Sequence, residues 1–355
     1  MSQSDKDQVV VSGAAGLGAA VATESGGDLG QVGDVQARGY WELVWRRFRR
    51  DKVAIIAGIS IIVLILVAFV GAPIAKHYDG HGPNDIFASS PEVVEIPSLL
   101  PADIWTHFHN PKTGKTDVMV LGAANRLGQD EFLRLLYGAR VSIEVALFST
   151  IGVMIIGVLL GATAGYFRGA TDTVISRLTE ITMAFPLLLF VIALAATIGP
   201  RLNAITFGIF PQGVSTLVLI FSIFGWFYPA RIMRAQVLSI REKEYVEAAR
   251  MIGASDARII RSHVLPHLIA PMIVYSTLIV ASYVLFEAGL SFLGLGIKPP
   301  TASWGNLLSD APQYYTTRPL LMLWPGLAVL LTTLAFNLLG DGLRDAFDPR
   351  ATQSG

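Results

Sequence analysis

The sequence predicts an all-α membrane protein with six transmembrane helices. Three observations carry that prediction. The chain holds 355 residues, of which only 15% are charged, well below the ~25% of a soluble domain. Its hydrophobic residues, 52% of the total, are gathered into six long runs rather than one diffuse core. Each run is long enough to cross ~30 Å of hydrocarbon as a helix. In lipid only helices and closed barrels satisfy their own backbone, and unbroken apolar runs of this length select helices. The 27 basic and 27 acidic residues cancel, so no global field points to nucleic acid. The absence of cysteine removes disulfides, thiolate catalysis and cysteine-based metal sites.

Residues 1–38 are rich in Gly, Ala, Ser, Val and Asp without periodicity and are expected to be a disordered cytoplasmic tail. The tail opens with polar and acidic residues, unlike a signal peptide. Its GAAGLGAA segment at 13–20 follows no strand and is not read as a nucleotide loop. The runs are placed near 53–72, 141–166, 181–199, 213–232, 269–293 and 319–340. The basic segment WRRFRRDK at 45–52 precedes the first run, which puts the N-terminus in the cytoplasm. Loops then alternate, and the inner loops 167–180 and 231–268 are arginine-rich, whereas the short outer loops carry only Arg201, Lys298 and Arg318. This divides the chain into the tail, a basic segment with the first helix (39–75), an extracytoplasmic region (76–139), a core of five helices (140–345) and a C-terminal tail (346–355).

The outer region is polar and holds His77, His81, His107 and His109. Nothing completes a metal site around His107 and His109, so surface histidines are expected. The segment NPKTGKTD lacks the first glycine of a phosphate loop, having His109 there. In the second run Gly152, Gly157, Gly161 and Gly165 imply close helix packing. The fourth run carries Pro229 and Arg231, and the fifth Pro271 and Glu287. Glu287 is expected to hydrogen-bond helix ends near the FEAGLSFLGLG bend, although an intramembrane carboxylate is a functional candidate by default. Trp226, Trp304 and Trp324 are assigned to interfacial belts. Asp341, Arg344, Asp345, Asp348 and Arg350 read as a solvated helix end.

One inner segment, EKEYVEAARMIGASDARIIRSHVLP, is unlike a plain connector. Ser239 and Glu242 form the S-x-x-E pattern of a capping box and are expected to start a helix through Tyr245, Ala248, Ala249 and Ile252. Gly253 suits a left-handed helix end. Ser255 offers an N-cap, with Asp256 in the first turn of a second helix through Ile259, Ile260 and His263. Leu265–Pro266 is expected to end that helix before the fifth run. Taken by themselves, these residues fit equally an amphipathic connector on lipid headgroups and a docking element for another protein.

The order Glu247-Ala248-Ala249, three residues, Gly253, eleven residues, Leu265-Pro266 resembles the EAA loop of permease subunits in bacterial ABC importers. His263 stands where that pattern often has Ile. Further segments, LLYGARVSIEVAL (135–147), GATAGYFRGATD (161–172), EITMAFPLLLF (180–190), FEAGLSFLGLGIKPPTASWGNLL (286–308) and FNLLGDGLRDAFDPR (336–350), resemble the C-type permease subunit of dipeptide/oligopeptide and nickel importers. The likeness covers about 40–350. Two departures bear on partner fit and substrate: LGAANRLGQDEF at 121–132 replaces the usual LGTDxxGRD pattern, and the 75–120 insertion is long.

The resemblance implies a type I ABC importer permease fold in a bacterial plasma membrane, with both termini cytoplasmic. It implies contact of Glu247, Ala248, Ala249, Gly253, Ala254, Leu265 and Pro266 with a cytoplasmic ATPase subunit. It implies as partners a homologous permease subunit, two ABC ATPase subunits and an extracytoplasmic substrate-binding protein. The chain itself is expected to supply no catalytic residue, metal or cofactor. Peptides are the expected cargo, with nickel chelates or other small solutes as the alternative. A secondary transporter is less supported, because the runs carry few ionisable residues and no convincing repeat.

Overall fold

The computed structural model describes residues 40–87, 106–111, 114–125, 127–197, 201, 213–316 and 318–348. The expected N-terminal tail and Arg350 lie outside them. Contacts group the chain into two units, Met1–Leu43 and Val44–Gly355. The first shows, within the described residues, only the opening of α1 (Tyr40–Phe48); everything else belongs to the second.

Among the described residues, four helical rods are long and apolar enough to cross a membrane: Lys52–Asp79, Glu131–Phe167, Asp256–Phe292 and Leu320–Phe347. Two bent pairs bring the number to six if each counts as one span. The first rod joins α2 (Lys52–Leu66) to α3 (Ala72–Asp79) through a π turn at Val67–Gly71. Asp51 caps α2, accepting from the amides of Val53 and Ala54 at 2.9 and 3.1 Å. The π turn lies just before Pro73. A proline has no amide to donate, and its ring crowds the carbonyl one turn back, so a widened turn keeps the rod continuous.

The 76–139 region carries a two-stranded antiparallel hairpin, β1 (Thr106–His109) and β2 (Thr116–Met119). His77, His107 and His109 are exposed, but His81 is not a surface histidine: it is 4% exposed. Its Nε2 lies 3.1 Å from Asp130 Oδ2 and its Nδ1 2.8 Å from the Asp79 carbonyl, and its ring meets those of Phe87 and Phe108 edge to face. The first helix of the core, α4 (Glu131–Phe167), starts ten residues before the apolar run. Asp130 caps it by accepting from Leu133 N at 2.8 Å.

The expected loop at 167–180 is helical, α5 (Gly169–Met183), and the third run breaks before α6 (Leu187–Thr197) with an 82° bend. Pro186 accounts for the break, since it cannot donate and pushes Phe185 away from helical backbone. The helix before it is amphipathic. Asp172, Ser176 and Thr179 turn toward the protein, and Val174, Leu178 and Ile181 are exposed; a search for unbroken apolar runs passes over such a pattern. The fourth span is α7 (Val214–Gly225) and α8 (Phe227–Arg241), bent by 40° at Trp226.

Helix α4 is the centre of the fold, packing on α7, α8 and α11 (Leu265–Phe292). Its glycines are contact points. A Cβ on Gly157 would lie 2.7 Å from that of Pro229, and one on Gly165 2.8 Å from the Arg234 carbonyl. On Gly161 it would overlap the Ala230 carbonyl. Helix α11 in turn packs on α13 (Leu320–Phe347), and α13 on α2. Glu287 of α11 is fully buried. It accepts from Ser142 of α4 at 2.6 Å and from Ser291 at 2.7 Å. Those hydroxyls accept in turn from the amides of Trp304 and Ile297 at 3.3 and 3.0 Å. The carboxylate thus ties two helices to the 296–304 loop through serine hydroxyls; the expected bonds to helix ends are not what it makes. Trp304 is no belt residue: it opens α12 (Trp304–Asp310), is 1% exposed, and donates Nε1 to the Leu135 carbonyl at 3.2 Å. Trp226 and Trp324 are half-buried, and Asp341, Arg344, Asp345 and Asp348 are exposed.

Candidate functional site: the 242–268 segment

The expected capping box does not start a helix. Ser239 lies inside α8, because Met233, Val237 and Ile240 continue one buried stripe to its end. The next helix, α9 (Glu244–Met251), begins after Lys243, whose backbone is extended. The Lys243 carbonyl accepts from the amides of Val246 and Glu247 at 2.9 and 3.2 Å. No side chain caps this end, but Glu244 and Glu247 in the first turn suit its partial positive charge.

The expected single stripe on α9 is divided. Ala249 and Val246 are buried against the spans. Tyr245, Glu247, Ala248, Met251 and Ile252 are exposed, the last two at 78% and 85%. The helix ends at Gly253 with φ +81°. The Gly253 amide donates to the Arg250 carbonyl at 2.9 Å and the Ala254 amide to the Ala249 carbonyl at 3.0 Å. That pair of bonds is a Schellman turn, which uses two of the orphan carbonyls at a helix end. Ala254, half-buried, packs with Ala249 into the cluster beneath.

Ser255 occupies the N-cap of α10 (Asp256–Ile259) with extended backbone, but its carbonyl, not its hydroxyl, serves the turn, accepting from Ile259 N at 3.0 Å. Leu265–Pro266 does not end the helix as expected. A π turn at Ile260–Val264 carries it into α11, the Leu265 amide donating to the Ile260 carbonyl. As at Pro73, the wide turn lies just before the proline, for the same reason. Leu265 is half-buried and Pro266 exposed. The structure therefore places Glu247, Ala248 and Ala249 on α9 and Gly253 and Ala254 in the turn that closes it, and sets Leu265 and Pro266 on the rod that returns into the membrane.

A single apolar cluster supports the segment. Val246, Ala249, Ile259, Val264 and Leu268 pack against Met154, Val158, Ala162 and Tyr166 of α4 and Met233, Val237 and Ile240 of α8. Tyr166 is the junction that sequence reasoning missed. Its hydroxyl donates to Asp256 Oδ1 at 2.6 Å. The Arg250 and Arg241 guanidinium groups lie 5.2 and 5.8 Å from its ring centre, within cation–π range, and Arg241 also donates to its carbonyl. Arg168 pairs with Glu242, and Arg234 with Asp172. Tyr245 stacks on His267 with ring centres 5.5 Å apart. The only sequence signal for Tyr166 is a polar-tipped ring at the end of an apolar run, which by itself reads as an interfacial residue. Among the described residues no group of three His, Asp or Glu could hold a metal ion.

The arrangement presents an exposed apolar tip on a rigid, well-packed base, which suits docking rather than chemistry. The family described as binding-protein-dependent transport system inner membrane component matches residues 157–353, a span that includes the whole segment. The N-terminal TM domain of oligopeptide transport permease C matches residues 39–91. A glutathione transport system permease protein GsiD of Pectobacterium atrosepticum is 34% identical over 321 residues, 90% of this chain and 94% of its own. A dipeptide transport system permease protein DppC of Alkalihalophilus pseudofirmus is 36% identical over 313 residues, 87% of this chain and 90% of its own. A chain from a solved structure of inward-facing conformations of the MetNI methionine ABC transporter superposes with a TM-score of 0.47 at 17% identity, covering 61% of this chain and 96% of that one. This chain belongs to the family of binding-protein-dependent transport system inner membrane components and is a membrane-spanning permease of an ABC importer.

Proposed function

We propose that the 242–268 segment is the coupling element through which a cytoplasmic ATPase subunit drives this permease. The observation that carries the reading is the tip: Met251 and Ile252 stand almost fully exposed beside Glu247 and Ala248, on a helix held to the spans by buried Val246 and Ala249 and by Arg250 over the Tyr166 ring. Exposed apolar side chains on a rigid base mark a surface that another protein covers. The small Ala248 side chain lets a partner backbone approach closely. Contact residues are Glu247, Ala248, Ala249, Gly253, Ala254, Leu265 and Pro266, with Ala249 and Leu265 acting from beneath as support.

The complex has two ATPase subunits, this chain and a homologous permease, and a substrate-binding protein that delivers cargo to the 76–139 region. The N-terminus and the 242–268 segment face the cytoplasm, in line with the arginine-rich inner loops. ATP-bound closure of the ATPases draws the coupling elements together and favours the outward-open state, by as much as ATP's contacts differ between the two states. ATP hydrolysis takes place on the separate subunits. The cargo is peptide, the class named for the glutathione and dipeptide relatives.

The test is ATP-driven peptide uptake by the complete complex in proteoliposomes. Gly253→Val leaves membrane insertion intact, lowers capture of the ATPase subunits and abolishes uptake. Normal uptake by that variant would overturn the reading.

A further inference from the structure

The last turn of α1 and its joint to α2 hold Arg46, Arg47, Arg49 and Arg50 within five residues. The one acid of the helix is Glu42. Arg47 is engaged: its Nη1 donates to the Asp348 carbonyl at 2.6 Å, at the end of α13. Arg46, Arg49 and Arg50 are exposed, and their guanidinium groups pair with no carboxylate among the described residues. Beside them Trp45 is 60% exposed, its ring stacked on that of half-buried Phe48 with centres 6.0 Å apart. Val44 is buried.

Position says what covers these side chains. The amides of Arg49, Arg50 and Asp51 donate to the carbonyls of Trp45, Arg47 and Phe48 at 2.9, 2.9 and 3.1 Å. This tight joint leads straight into the membrane-crossing rod that begins at Lys52. Gly342 of α13 packs on Ala54, so the rod begins level with the end of α13, where Arg47 is tied. The 44–50 segment is therefore held where two rods leave the hydrocarbon, at the level of lipid headgroups. An indole ring favours that level, and guanidinium groups suit phosphate. Arg46 stands about 100° around the helix from Trp45, so ring and cation serve different sides of an in-plane helix. We propose that residues 44–50 anchor on an anionic phospholipid surface, with Trp45 and Phe48 seated at the acyl boundary and Arg46, Arg49 and Arg50 on lipid phosphates. Clustered cations favour anionic headgroups over zwitterionic ones, whose own ammonium offsets the phosphate. The proposal needs only that α2 crosses the membrane; neither the coupling assignment nor the side on which α1 lies enters it.

The test is amide hydrogen exchange of residues 44–50 in the complete transporter, held in nanodiscs of phosphatidylcholine with or without phosphatidylglycerol. Exchange is about tenfold slower with phosphatidylglycerol, and high salt narrows the difference. Arg46→Gln, Arg49→Gln and Arg50→Gln combined remove the lipid difference, whereas the three Lys replacements keep it. Unchanged protection of 131–167 shows that each variant is folded. Trp45→Ala speeds exchange in both lipids. Equal exchange of the wild type in the two lipids overturns the proposal, as does a Gln variant that keeps the lipid difference. Wild-type protection that follows the ATPase subunits rather than the lipid also overturns it, and would assign this face to a protein.

Discussion

Tyr166, in the last turn of α4, donates its hydroxyl to Asp256 Oδ1 at 2.6 Å across 90 residues of sequence. This bond joins α4, on which the spans pack, to the segment proposed above as the coupling element. A hydrogen bond to a carboxylate contributes about 1.5–3 kcal/mol, discounted here toward the low end because the pair is only partly buried. Tyr166→Phe keeps the ring beneath Arg241 and Arg250 and removes the bond alone. Amide exchange across 254–262 is then about tenfold faster, while the spans keep their protection. Unchanged exchange would show that the apolar cluster holds the segment unaided.

The cost of replacing Gly253 comes from its backbone. Nothing lies within 4 Å of a Cβ added there, and φ is +81°. Substitutions should therefore rank by tolerance of left-handed backbone: Asn mildest, Ala intermediate at about 1 kcal/mol, Val worst. ATPase capture by the three variants follows that order. A ranking by side-chain volume alone, with Asn more damaging than Ala, would instead point to a steric contact with the partner.

Glu287 accepts from two buried hydroxyls, and removing a buried acceptor costs about 1–3 kcal/mol for each donor left unpaired. Glu287→Ala lowers the melting temperature of the detergent-purified protein by the largest margin of any substitution in α11. Glu287→Gln, which keeps one acceptor oxygen, costs less than half as much. Equal losses would mean that charge, not hydrogen bonding, sustains the network.

Two glycines in long helices give opposite outcomes. At Gly161 a methyl group overlaps the Ala230 carbonyl, so Gly161→Ala pushes α4 and α8 apart and destabilises by about 1–3 kcal/mol. At Gly289 nothing lies within 4 Å, and Gly289→Ala is neutral or stabilising by up to about 1 kcal/mol. Thermal melting of the two variants separates contact glycines from merely permitted ones.

His81 is expected to make the 106–119 hairpin sensitive to pH. Burial lowers its pKa, but the Asp130 hydrogen bond and charge, with Asp79, outweigh it and hold the imidazole above its ordinary 6.5. Asp117 also faces it, at 3.6 Å. Since the folded value is the higher one, the contribution is complete below pH 6.5 and is lost as pH rises through the raised value. Amide protection of 106–119, corrected for intrinsic exchange, declines across that window. Asp130→Asn flattens the dependence. Wild-type protection that is level with pH would remove the imidazolium from the account.

Much of the site was legible along the chain. The spacing of Glu247-Ala248-Ala249 from Gly253 selected the segment, and Gly253 adopts the left-handed backbone expected of it. The glycines at 157, 161 and 165 do meet a neighbouring helix. Two local signals misled. Ser239 and Glu242 match a local start signal, but a buried stripe extending from Met233 to Ile240 keeps that stretch in the preceding helix. Pro266 matches a stop signal, but a π turn absorbs it.

The sequence by itself determined the membrane class, the six apolar stretches and the family, because hydrophobicity and motif spacing are written along the backbone. Tertiary structure alone decided that Trp304 and His81 are buried, that Glu287 meets Ser142, and that Tyr166 holds Asp256. A polar side chain in an apolar run has many possible fates. Which one it meets depends on the partner that packing brings within 3 Å, and no local pattern encodes a contact 145 residues away.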